Sequence, residues 1–128
     1  MYYEVQEVEM NGEKIPYRID NYILGFIQGN YESIPDFEKE LMGWGENEEG
    51  KLYQKKEPSV LVINKVFPEM VREGFACRNK ECNLEDAEIV RMIDKNPATM
   101  AGIIHEELVR CMTGKKKAIT PKKKAPRK

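Results

Sequence analysis

A helix-rich α+β domain is what this 128-residue chain encodes, and three features say so. An Asn11-Gly12 turn lies between two β-prone runs near the start. A series of helical segments, each with its own start and stop signals, follows it. The last sixteen residues hold almost nothing to bury. The expected architecture is a small N-terminal antiparallel β-sheet packed with four or five α-helices, ending in a disordered basic tail. The sheet is a hairpin, with residues 51–55 as a candidate third strand joining it.

Asn-Gly readily adopts the positive φ angles of a tight hairpin turn, so YYEVQEVEM and EKIPYRI are expected to pair. Alternation puts Tyr3, Val5, Glu7 and Glu9 on one face and Tyr2, Val8 and Met10 on the other. Pro16 lacks an N–H and suits an edge or a strand end. Asp20 is a good N-cap for NYILGFIQGNY, whose apolar residues spread around the helix and predict burial. Gly25 and Gly29, four apart, would admit a close backbone neighbour. Ser33 and Pro35 start a short helix that Gly43 ends, which leaves Trp44 in a loop between two glycines.

Val60, Ile63, Phe67, Met70 and Val71 form a helical stripe, predicting a helix kinked at Pro68 and stopped by Gly74. Asn83 or Asp86 would cap LEDAEIVRMIDK. Asn96-Pro97 then separates it from a last helix that ends at Gly114, and the two helices together predict an αα-hairpin.

Charge divides the chain. Residues 1–112 hold 13 basic and all 22 acidic residues, a net −9, whereas the remainder holds eight cations and no acid. The domain is therefore set at 1–112 and the tail at 113–128. Like charges repel, two prolines remove donors, and only Ile119 offers burial, so the tail is expected to be disordered when free. Such an arm binds phosphate backbones by counterion release, without sequence preference. The candidate nucleic-acid-binding residues are Lys115, Lys116, Lys117, Lys122, Lys123, Lys124, Arg127 and Lys128.

Catalytic and metal chemistry find little support. Cys77, Cys82, Cys111 and the single His105 match a Cys3His zinc set by count. On one helix, however, His105 and Cys111 point about 120° apart, and the four residues between Cys77 and Cys82 exceed the spacing of most zinc knuckles. HEELVRC lacks the second His of a zinc-protease helix, and no phosphate loop or dinucleotide fingerprint appears. His105 is expected to make a structural contact at a helix edge. Glu107 interrupts the apolar stripe of the last helix, where an ion pair with Arg110 or Arg91 would offset its burial. The helix beginning PATMAGII offers no cation before Arg110, which makes it a poor reader of DNA. No cofactor, no metal and no catalytic residue is assigned.

Acids cluster in two places, Glu4, Glu7 and Glu9 on the first strand and Glu46, Glu48 and Glu49 beside Trp44. Acids mixed with aromatics suit docking to a basic protein surface, so Trp44, Glu46, Glu48 and Glu49 are the candidate protein-binding residues. The expectation is a non-enzymatic regulator or inhibitor of nucleic-acid-handling machinery, of a phage or mobile-element type. Its acidic body would bind a protein partner and its tail would contact nucleic acid. The alternative is an assembly subunit whose tail binds packaged nucleic acid or an acidic neighbour. No apolar run reaches the length of a membrane span, no signal-peptide layout opens the chain, and an odd cysteine count fits a reducing compartment. A cytoplasmic monomer or homodimer without membrane contact is expected.

Overall fold

The computed structural model describes residues 4–114. The eight tail cations lie outside these residues. Strands β1 (Gln6–Met10) and β2 (Glu13–Tyr17) form the expected hairpin, with Asn11 and Gly12 both at positive φ and Val8 opposite Ile15. Met10, Ile15 and Tyr17 are buried on the face that meets the core, Glu7 and Glu9 stay exposed on the other, and Pro16 on that second face is covered as well. Pro16 stands opposite Glu7 on this two-stranded sheet.

Helices α1 (Asn21–Asn30) and α2 (Ile34–Met42) follow. Asp20 caps α1 by accepting the N–H groups of Tyr22 and Ile23, and Ser33 caps α2 by accepting that of Asp36. The burial expected around most of α1 is limited to Ile23 and Ile27, and Tyr22 is exposed. Strands β3 (Trp44–Glu46) and β4 (Leu52–Gln54) pair with each other in a second sheet. Residues 51–55 therefore do not extend the N-terminal sheet, and Trp44 is a strand residue rather than part of a loop. Gly43 makes the turn possible: its φ of 76° caps α2, and its carbonyl accepts the N–H groups of Lys55 and Lys56.

Helix α3 (Val60–Cys77) passes through Pro68 and does not stop at Gly74. Gly74 instead lets α3 lie on β2, since a Cβ there would fall 2.7 Å from Pro16 C and Tyr17 N. Gly25 and Gly29, expected to serve such an approach, face open space. Around the α3–β2 seam, Tyr17 and Phe67 pack with ring centroids 5.9 Å apart, and Arg18 N–H donates to Met70 O. The N-cap of helix α4 (Asp86–Met92) is Glu85, whose N–H donates to Glu88 Oε1, rather than Asn83 or Asp86. It packs chiefly on α3, so the αα-hairpin with α5 (Pro97–Thr113) is not formed. Helix α5 packs on α2 and α3 and ends at Gly114 in the left-handed conformation.

The glycines separate helix propensity from packing. Gly74→Ala should destabilise the domain by about 1–3 kcal/mol through the forced separation of α3 and β2. Gly25→Ala should stabilise it by roughly 0.5–1 kcal/mol, the usual helix-interior gain. Urea unfolding of the two variants checks both signs.

Candidate interaction site

Helix α5 organises the surroundings of the candidate residues. On one side, buried Glu107 accepts the Ile19 N–H at 2.9 Å and two N–H donors from Arg110 at 2.8 and 2.6 Å. Arg110 also donates to Ile19 O at 3.0 Å. The pairing expected with Arg110 is formed; the backbone partner 88 residues away was not legible. The carboxylate is fully used as a structural tie. Glu107→Ala strands the Ile19 N–H and the Arg110 guanidinium, which should cost about 3–5 kcal/mol, the range for breaking a buried pair, in denaturant unfolding.

On another side, His105 Nε2 lies 3.0 Å from Glu38 Oε2 of α2, and the Trp44 ring meets the imidazole edge-on with centroids 5.3 Å apart. The structural contact expected of His105 is thus present, although the sequence named no partner for it. Ile34, Glu38 and Met42 follow at intervals of four along α2, so Glu38 interrupts an apolar stripe as Glu107 does. That interruption is the signal that would have found it.

Trp44 is half-buried in this contact, and its strand partner Gln54 donates to Met42 O and Lys56 O. Glu46 pairs with Lys39 at 2.6 Å. Glu48 and Glu49 are exposed at the hairpin tip, where Asn47 Oδ1 accepts the N–H groups of Glu49 and Lys51. The four candidate protein-binding residues therefore share one hairpin in different states: Trp44 inward, Glu46 matched, Glu48 and Glu49 outward. Lys51, Lys55 and Lys56 share that hairpin, so its local charge is mixed and the net −9 is spread over the body. On the first strand Glu7 is matched by Arg78 at 2.6 Å, which holds its carboxyl below the usual range. Beside the second hairpin, Met42, Gln54, Lys56, Glu57, Pro58 and Ala98 line a shallow hollow of about 260 Å³.

A third cluster joins the start of α1 to α3. One ligand atom each from Asp20, Glu73 and Cys77 lies within 4.8 Å of the others, with Cys77 Sγ 3.5 Å from Glu73 Oε2. Burial, then the hydrogen bond to Asp20, push the Glu73 carboxyl up to about 7. Burial also acts to raise Asp20, but hydrogen bonds from Glu73, the Ile23 N–H and Arg18 outweigh it and leave that carboxyl lowered. Of the two carboxyls, Glu73 is thus the one that takes up a proton more readily. Burial and the Glu73 charge push the Cys77 thiol up to about 11, away from thiolate chemistry. Cys82 Sγ faces Leu84 O instead, and Cys111 packs against the core beside Glu107 and Arg110.

No protein family, curated protein or solved structure matches the chain. Among the described residues no helix is long and apolar enough to cross a membrane.

The raised Glu73 carboxyl has a pH signature. A carboxyl raised in the folded state contributes stability that is fully present below its ordinary value of 4.5 and is lost as pH rises through about 7. Glu73→Gln cannot ionise, so its stability relative to the parent should rise between pH 4.5 and 8. Unfolding curves of both proteins across that range measure the difference.

Proposed function

We propose that this protein is a non-enzymatic interaction protein that works on nucleic-acid machinery: the acidic body docks on a basic protein surface and the cationic tail contacts nucleic acid. The observation behind this reading is the opposition between a −9 body and the eight cations that follow it. Charge of that sign steers the body toward a basic partner, and the tail gains affinity for phosphates by releasing their counterions. On the hairpin, Glu48 and Glu49 supply the outward charge, Glu46 is already matched by Lys39, and Trp44 sets the hairpin against α5.

A non-catalytic role is in keeping with how the titratable groups are engaged. Glu107 is consumed by Ile19 and Arg110, His105 by Glu38 and Trp44, and the Cys77 thiol is raised. In the cell such a protein would act in the cytoplasm as a regulator or inhibitor. The assembly-subunit alternative predicts a closed oligomer or polymer in light scattering, whereas regulation predicts a monomer or dimer.

Removing residues 115–128 tests the tail. Full-length protein should bind duplex DNA with a log–log salt slope as steep as about −7 if all eight cations contact phosphates. The truncated protein should lose most of that affinity and slope in anisotropy titrations. An unchanged affinity and slope after truncation would rule the tail out. Co-purification with and without nuclease separates a protein partner from one bridged by nucleic acid.

A further inference from the structure

The outward face of the β3–β4 hairpin has a different chemistry from its acidic tip. Side chains alternate along a strand. Trp44 and Gln54 form one cross-strand pair and face the body, through His105 and the Met42 carbonyl. Gly45 and Tyr53, the next pair, therefore face away, and alternation places Lys51 and Lys55 on either side of Tyr53 on that same face. Gly45 has no side chain, and the Tyr53 ring occupies the space over it. A Cβ built there would lie 2.9 Å from Tyr53 Cζ and 3.0 Å from Lys55 Cδ. The ring is thus laid over the partner strand's backbone with the Lys55 stem beside it. Tyr53 is nonetheless 48% exposed, so the side away from the glycine is open. Neither Lys51 nor Lys55 forms an ion pair among the described residues.

We propose that this face is a stacking platform for single-stranded nucleic acid, in which Tyr53 stacks on one base while Lys51 and Lys55 hold the phosphates to either side. Each element answers a need of that ligand. An open aromatic face accepts any base, and cations along the strand track the backbone. Residues two apart on a strand are about 6.6 Å from each other, so the two lysines flank the ring at reach of successive phosphates. Glu48 and Glu49 at the tip repel phosphate, which directs the bound strand across Lys55 rather than over the turn. Duplex DNA, with its bases stacked inside, cannot use the ring, so the platform adds a preference for single strands that a cationic tail lacks.

This inference takes its ligand class from the function proposed above, and the test keeps the two apart. Full-length protein is titrated into fluorescein-labelled oligothymidylate and into a duplex of equal length, by anisotropy at constant salt. Tyr53→Leu covers Gly45 but offers no π face and should weaken oligothymidylate binding about tenfold, within the range of one lost base stack, while leaving duplex binding as it was. Tyr53→Phe should bind like the parent. Lys51→Gln combined with Lys55→Gln should reduce the single-strand salt slope by about 1.4. Equal oligothymidylate affinity of the parent and Tyr53→Leu overturns the platform. If replacing the tail lysines still abolishes binding in that case, the tail reading stands without it. A parent protein that binds neither probe removes both. Melting curves that match the parent's confirm that each variant is folded.

Discussion

The constraint on which this fold depends is the satisfaction of one buried carboxylate. Glu107 lies in the core, where an unpaired charge would be costly, and its oxygens are filled by the Ile19 N–H and by Arg110. That arrangement joins the last helix to the junction between the first hairpin and α1. The same junction supplies Asp20, which caps α1 and lies beside Glu73, and Arg18, whose N–H binds the middle of α3. Three elements far apart in sequence therefore meet at one polar knot. With α5 held there, its other face presents His105 to Glu38 and Trp44, and that contact sets the second hairpin against the body.

The hairpin that results is two-sided. Trp44 and Gln54 spend their polar and aromatic capacity on the body, whereas Tyr53 and its flanking lysines remain available. Its tip adds two exposed glutamates, so cationic and anionic surfaces lie within a few residues of each other. Ion pairs across the rest of the surface, Arg72 with Glu69 and Asp86 and Arg78 with Glu7, brace the C-terminal half of α3 against α4 and β1. Being partly exposed, they contribute less to stability than the buried knot does.

What could be read from the residues alone was governed by local physics. Asn11-Gly12 demanded a tight turn, Asp20, Ser33 and Pro97 marked helix starts, and the stripe from Val60 to Val71 favoured a helix. Glu107 announced its need of a partner by interrupting an apolar stripe, and the nearest candidate, one turn away at Arg110, was the right one. The division of charge between body and tail is also a property of the sequence, independent of how the chain folds.

Only the tertiary structure decided which distant groups meet. Leu52–Gln54 pair with Trp44–Glu46 and not with the first hairpin, because the turn from Asn47 to Gly50, with Gly50 at positive φ, folds the second strand back on the first. Gly74, not Gly25 or Gly29, is the helical glycine that lies against a strand, since helix-face position alone does not say where a strand will cross. Glu38 beside His105, Glu73 beside Asp20 and Tyr53 over Gly45 likewise appear only in three dimensions. Caps, turns and periodicity act over a few residues and are written locally. Long-range contacts are chosen by how whole elements pack, and no single residue states that choice.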